Sequence, residues 1–501
     1  MIVRRTLRIA TLPARTAESC REEIALAATH GADWAEVRAD RWIVGELGRV
    51  KALFPAPLPL LLTVRSRAEG GEGPDDGETR ARQLRDLLRL PFAAVDVELQ
   101  RDLCTVPSLG LPAAGDVQPS LIYSAHLDGE ATQQDVSRLL TEPLPLPGTR
   151  KIVLPSSVGR AVLEWLPFLE SLDGDRPVFH TTGASAPLFR LWAERLGMPF
   201  VFASLPATDG RGTVLPGQVE LDRLPSASPT ERTHPLIALL GAPISQSPSP
   251  LLVESLLDSA GLRGTYASLE HEDLRPLAAI LAALAARGFV GVNLTRPLKE
   301  AGFGLAPRTG PEAAAARCVN LLVFTDHGWR GENTDVRAIR RRWSEVEADL
   351  ARPRGSVLVL GGGGSARATV AAAVLDGRRV ALRARRSNRQ ELLLRDWPSI
   401  GEPAPGDRFE WVVNATTVGR PGSGNWPPEW TEHLAPGTRL LDWVYSPEAG
   451  SVESLCAKRG AGYEDGRRLL LYQASETVRE LFGKAPGPAA EQEAWRRCFG
   501  E

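Results

Sequence analysis

Lysine is almost missing from this chain. Of 59 lysines and arginines only five are lysine: Lys51, Lys151, Lys299, Lys458 and Lys484. A guanidinium stays charged and cannot act as an amine nucleophile, whereas a desolvated ammonium can lose its proton and form an imine. Each lysine is therefore a candidate for chemistry that arginine cannot perform. Cysteine is equally sparse. Cys20, Cys104, Cys318, Cys456 and Cys498 are odd in number, widely spaced and form no CxxC pair, which argues against a disulfide framework and a zinc site. No apolar run is long enough for a membrane span. The opening "MIVRRTLRIATLP" is basic without a long apolar core, so neither a signal peptide nor a transit peptide is expected, and the predicted compartment is the cytoplasm. A formal net charge of −2 removes the electrostatic case for a nucleic-acid or anionic-membrane partner.

What remains is a globular composition, 43% apolar and 24% charged over 501 residues, which is enough for two or three domains. The segment "LDRLPSASPTERTHP" (221–235) interrupts the apolar rhythm with proline, serine and charge and reads as a linker. Before it, eight short apolar runs alternate with amphipathic stretches, at 7–12, 33–39, 58–64, 93–99, 120–125, 151–155, 177–181 and 199–204. This pattern predicts a (β/α)8 barrel, with an open doubly wound α/β sheet as the alternative. Barrel chemistry gathers at the C-terminal ends of strands. There the sequence offers Glu36 and Arg38 at the end of the second run, Arg65 and Glu69 after the third, and His126 after the fifth. Arg190 and Gln218 are expected in the loops after the seventh and eighth. Lys151 stands at the beginning of its run, so it can serve only by pointing inward together with Val153.

After the linker, "GSVLVLGGGGSARATVAAAVLDG" (355–377) reads as strand, glycine turn and alanine-rich helix. Gly361, Gly363 and Ala366 satisfy G-x-G-x-x-A in the strand-to-helix context of a dinucleotide site, with Gly364 and Ser365 at the helix start. The next strand ends in "VALRARRSN", where Arg385, Arg386 and Ser387 stand in place of the acid that would hold an NAD ribose. Arginines suit a 2′-phosphate, so NADP (as NADPH) is the predicted cofactor.

Two families enter on these residues. The segments "ADWAEVRAD", "TVRSRAEGG", "SAHLDG", "KIVLPSS", "FRLWAERLGMPFVFAS" and "LPGQ", in this order across about 5–223, resemble type I 3-dehydroquinate dehydratase. The resemblance implies that Lys151 forms an imine with the substrate ketone, that His126 moves the neighbouring proton, and that Glu69 orients His126. It further implies that Glu36, Arg38, Arg65, Arg190 and Gln218 hold the substrate. Val214 stands where that family writes serine, with Thr213 beside it as a substitute hydroxyl.

The segments "GAPISQSPSP", "GVNLTRPLKE", "CVNLLV", "GENTDV", "VVNATTVG", "LLDWVYSP" and "GRRLLLYQASE", across about 235–485, resemble shikimate dehydrogenase. By that resemblance Lys299 and Asp335 form the catalytic pair. Ser247, Ser249, Thr295, Asn320, Tyr445 and Gln473 face substrate, and Asn414 and Thr416 face the cofactor. Gln246 replaces a usual histidine, and Gly450 a frequent threonine.

Together the resemblances imply a bifunctional shikimate-pathway enzyme acting on 3-dehydroquinate, 3-dehydroshikimate and shikimate, monomeric or homodimeric and needing no metal. Its implied parts are a barrel (1–224), a linker (225–233), a substrate and catalytic domain (234–350, completed by helices in 466–501) and a Rossmann NADP domain (351–465). The rival readings are a quinate/shikimate dehydrogenase with a weakened dehydratase half, and a non-catalytic metabolite sensor.

Overall fold

The computed structural model describes residues 5–43, 46–110, 119–206, 218–225, 234–245, 247–349, 354–420, 422–423, 426–445 and 450–500. Thr213, Val214 and Gln246 lie outside them. The chain forms two compact units, Met1–His234 with Leu269–His271, and Pro235–Ser268 with Glu272–Glu501.

In the first unit eight short strands run parallel: β1 (Leu7–Leu12), β2 (Trp34–Arg38), β3 (Leu60–Thr63), β4 (Ala94–Glu98), β5 (Ser120–His126), β6 (Gly148–Pro155), β7 (Val178–Thr182) and β8 (Phe200–Ser204). Several intervening segments begin with side chains that satisfy free helix amides. Thr16 and Thr132 build capping boxes on the helices Ala17–Thr29 and Gln133–Thr141, and Asp76 caps Gly77–Leu87. Strands pair in chain order from β1 to β7, and β8 returns to pair with β1. The sheet curls until its two edge strands, β7 and β8, lie beside each other, which makes a nearly closed barrel and not the open alternative. A seam remains between β7 and β8, where the described residues share no ladder and the Phe202 amide donates to His180 Nε2 at 3.4 Å.

Two connections depart from a regular β/α alternation. Among the described residues the link after β2 contains 3-10 turns (Ala39–Arg41, Glu46–Leu53), and so does the link after β4 (Val106–Leu109). Gly48 in the first and Pro107 in the second disfavour a continuous α-helix.

Alternate residues of a strand share a face, so each barrel strand sends every second side chain inward. One inner layer is apolar, with Ile9, Leu61, Ala94, Ile122, Val178, Phe200 and Phe202 packed together. One step further along the strands the layer turns polar, with Thr11, Thr63, Asp96, Ser124 and Lys151 all buried. The expectation that Lys151 begins its strand is corrected: β6 starts at Gly148, which places Lys151 in mid-strand. Arg150 and Thr149 hid that start from a reading based on apolar runs.

The second unit contains two sheets. The first holds β9 (Leu236–Gly241), β10 (Thr265–Glu270), β11 (Phe289–Leu294), β12 (Arg308–Thr309), β13 (Leu321–Thr325) and β14 (Gly328–Glu332), in the order β10-β9-β11-β13-β14-β12. The second holds β15 (Val357–Leu360), β16 (Val380–Arg383), β17 (Trp411–Asn414), β18 (Arg439–Asp442) and β19 (Gly462–Glu464). These are parallel, in the order β16-β15-β17-β18-β19. Strand order reverses at β15, which opens a crevice at the end of that strand. The helix Thr334–Asp349 sends Val336, Ile339 and Trp343 into the core beneath this second sheet.

Candidate active sites

In the barrel the predicted residues meet. Lys151 is 5% exposed, with Nζ 4.1 Å from the Phe202 ring centroid and 3.0 Å from Asp96 Oδ2. His126 Nδ1 lies 3.0 Å from Glu69 Oε2, and that oxygen also accepts the His126 amide at 3.2 Å. Arg65 links the two groups, donating to Glu69 at 3.2 Å, to Asp96 at 2.6 Å and to the Ser124 hydroxyl at 2.7 Å. Burial pushes the Glu69 carboxyl up to about 7, against the pull of Arg65. Burial, reinforced by Arg65, Lys151 and Arg38, holds the His126 imidazole well below its ordinary value, so it is neutral at neutral pH. For Asp96 burial opposes ionisation, but Arg65 and Lys151 outweigh it and the carboxyl stays below its usual range.

The substrate-holding candidates differ in how they are tied. Glu36 accepts from Thr11 and Thr63, both at 2.8 Å, and Arg38 forms a fork with Asp40. Gln218 donates to Thr11 at 3.3 Å, and its buried Oε1 has no partner among the described residues. Arg190 is corrected in position: it sits in the helix Ala186–Leu191, not in a loop, because "SAPLFRLW" has no breaker after Pro187. It donates to the carbonyls of Thr181, Ala186 and Phe202, and no carboxylate among the described residues pairs with it. Burial without an anion pushes its guanidinium down to about 10. A buried cation of this kind is a ready receptor for an incoming carboxylate.

Asp96, Ser124 and Glu98 were missed by sequence reasoning. The signal was present in "AAVDVEL", where two acids at i and i+2 fall on one face of an apolar strand.

In the second unit a cleft of about 820 Å³ runs from Ser247 and Ser249 to the arginines after β16. Lys299, first residue of the helix Lys299–Leu305, places Nζ 2.5 Å from Asp335 Oδ2. Asn320 holds the other Asp335 oxygen at 2.9 Å and accepts the Thr334 amide at 2.7 Å. Burial disfavours the Lys299 charge, but Asp335 outweighs it and the ammonium is held above its ordinary value. Thr295, Tyr445 and Gln473 line the same cleft, as do Gly361, Gly363, Gly364, Ser365, Arg385, Arg386 and Thr416.

Three predicted cofactor residues do not line it. Ala366 is fully buried and packs the glycine-loop helix into the core. Ser387 begins the next helix outside the lining. Asn414 sits behind the loop, where its Oδ1 accepts from both the hydroxyl and the amide of Thr416. Asn293 and Arg389 line the cleft and were missed; Arg389 was hidden among neighbouring arginines.

Two glycines are required by close approach. Gly361 has φ +131° and a Cβ there would lie 2.6 Å from the Ala415 carbonyl; one on Gly364 would lie 2.8 Å from Lys299 Cδ. Gly361 keeps the backbone open beside a helix N-terminus, and with Arg385, Arg386 and Arg389 the cleft fits a phosphate-bearing dinucleotide.

Comparison with known proteins divides the chain in the same way. A family model for type I 3-dehydroquinase matches residues 9–228, and one for the shikimate dehydrogenase substrate binding domain matches residues 239–322. The shikimate dehydrogenase (NADP(+)) of Paracoccus denitrificans (strain Pd 1222) is 34% identical over 275 residues, covering 52% of this chain and 94% of that protein. The solved shikimate 5-dehydrogenase of Thermus thermophilus, in complex with NADP(H) and shikimate, is 30% identical with a TM-score of 0.45, covering 53% of this chain and 100% of that one. A solved dehydroquinate dehydratase and shikimate dehydrogenase from S. pombe is 21% identical with a TM-score of 0.43, covering 98% of each chain.

Proposed function

This chain belongs to the shikimate dehydrogenase family and carries a type I 3-dehydroquinase region ahead of it, and we propose that it catalyses two consecutive steps. The first unit dehydrates 3-dehydroquinate to 3-dehydroshikimate, and the second reduces that product to shikimate with NADPH. The observation that carries this reading is the placement of the lysines. Lys151 and Lys299 are enclosed in the two sites, whereas Lys51, Lys458 and Lys484 are exposed.

In the barrel, Lys151 is the amine that forms a Schiff base with the substrate ketone, and the resulting cation draws electrons from the adjacent carbon. His126, neutral and oriented by Glu69, takes the proton from that carbon and returns it to the departing hydroxyl. Arg190 receives the substrate carboxylate, and Glu36, Arg38, Arg65 and Gln218 hold the rest.

In the cleft, NADPH supplies a hydride when bound. Lys299, kept cationic, delivers a proton to the oxygen on which charge develops, while Asp335 fixes its ammonium. Ser247, Ser249, Thr295, Asn320, Tyr445 and Gln473 position the polyhydroxy acid. The glycine turn with Ser365 receives the pyrophosphate, and Arg385 and Arg386 favour the 2′-phosphate. Domain limits of 1–224, 234–350 with 466–501, and 351–465, a cytoplasmic location and a monomeric or homodimeric state belong to the same proposal.

The test is a crossed pair of substitutions. Lys151→Arg is expected to abolish dehydration and leave NADPH-dependent reduction of 3-dehydroshikimate intact, and Lys299→Ala to do the reverse. Loss of both activities from either change, in a folded protein, refutes the two-site reading.

A further inference from the structure

We propose that Asp96 is the counterion of the Lys151 nitrogen throughout dehydration, pairing first with the ammonium and then with the protonated iminium. This inference rests on the Schiff-base reading above. Asp96 is 3% exposed and its Oδ2 lies 3.0 Å from Nζ. No other carboxylate among the described residues forms an ion pair with that nitrogen. Its second oxygen is fixed by Arg65 at 2.6 Å and by the Ser124 hydroxyl at 2.5 Å, so the carboxylate cannot swing away.

Strand register makes the arrangement. Asp96 of β4, Ser124 of β5 and Lys151 of β6 point into the barrel on three consecutive, hydrogen-bonded strands. The other charged or titratable groups facing the pair are Arg65 and Glu69 after β3, Glu98 on β4, His126 on β5 and His180 on β7. Both imidazoles are held well below their ordinary values, by burial first and then by neighbouring cations, so neither adds positive charge at neutral pH.

The balance of the step explains why one fixed anion suffices. An ammonium and a ketone give an iminium and one water: the C=O bond is replaced by C=N, and two protons leave nitrogen with the departing oxygen. Nitrogen carries a single positive charge at the start and at the finish. A carboxylate locked beside it therefore meets the same charge in both states, without reorganisation in a site shielded from water. It also keeps the iminium protonated, and protonation is what allows that nitrogen to draw electrons from the neighbouring carbon.

The experiment uses the full-length chain with 3-dehydroquinate and borohydride over a pH series, with the reduced adduct on Lys151 quantified by mass spectrometry. Asp96→Asn is expected to slow adduct formation about 30-fold at the alkaline end of the series, where the nitrogen starts uncharged and only the iminium gains from the carboxylate; about 30-fold is the range for a hydrogen bond to a charged group. It is also expected to move the alkaline limb of the profile down by about one pH unit or more, a change that loss of packing alone does not produce. Asp96→Glu, which keeps the charge, recovers most of both. A folded Asp96→Asn protein, judged by near-ultraviolet circular dichroism, that matches the wild-type rate and limb overturns the proposal. Should that variant fail to fold, Ser124→Ala carries the test. Removing a donor from Asp96 concentrates its charge and raises the alkaline limb, and an unmoved limb overturns the proposal. Absence of any Lys151 adduct in the wild type refutes the Schiff-base reading itself.

Discussion

At the scale of single residues, the decisive feature is how little room the two lysines have. Lys299 lies so close to Gly364 that a methyl group on the glycine would meet its Cδ, and a flexible side chain yields before backbone does. Gly364→Ala is therefore expected to displace the ammonium and lower kcat for reduction by about 100-fold, the effect of an ångström-scale misplacement. Dehydration by the same preparation serves as the unaffected control in steady-state assays. In the barrel, Glu69 is raised to about 7, and its ionised form is the one that stabilises the charge His126 gains on taking the substrate proton. Dehydration is thus expected to rise through about pH 7 before the alkaline limb sets in, and Glu69→Gln should remove the acid limb from the kcat/KM profile. Lys151, His126 and Glu69 were legible because their segments follow a familiar order. Asp96 and Arg389 were not: the two acids of "AAVDVEL" mark one strand face without saying which cation they meet, and one arginine among many carries no local sign of what it touches.

At the scale of elements, the helices Lys299–Leu305 and Ser387–Asp396 meet across the cleft. Glu300, next to the catalytic lysine, bonds Arg389 at 2.8 and 2.9 Å, and its carboxylate lies 3.6 Å from Arg367 Nε. Arg389 is thereby held by a carboxylate on the side where the cofactor's phosphates are proposed to bind. Glu300→Gln is expected to release it and lower KM for NADPH about threefold, as a half-exposed ion pair permits. Titrating salt should narrow the difference between variant and wild type, because screening weakens the pair; an unchanged KM at low salt refutes the competition. Among the described residues the strands were largely legible from their apolar runs, and the exceptions are instructive. β6 began earlier than expected because Thr149 and Arg150 are polar, and Arg190 proved helical because nothing after Pro187 stops the turn.

At the scale of the whole molecule, each unit buries a carboxyl that resists ionisation. Besides Glu69 in the barrel, Asp442 at the end of β18 is fully buried, with Oδ1 held by Asn414 and the Val444 amide and Oδ2 without a partner among the described residues. Burial pushes it from 3.8 up to about 7. Folded chains then keep a proton that unfolded chains release between about pH 4 and pH 7. Its contribution to stability is therefore fully present below pH 4, is lost as pH rises to 7, and changes no further above that. Asp442→Asn removes the charge and keeps the acceptor. It is expected to stabilise by about 4 kcal/mol at pH 8 and by less than half as much at pH 5. Thermal unfolding at the two pH values checks the sign. Alternation of apolar and polar residues and the glycine turn predicted a barrel, with an open sheet as the alternative, followed by a dinucleotide fold, because those signals are local and repeat along the chain; closure of the sheet was decided only in three dimensions. Which carboxylate meets Lys151 could not be read that way. Asp96 is 55 residues distant and arrives through the register of three neighbouring strands, which is set when side chains pack and the sheet curls round.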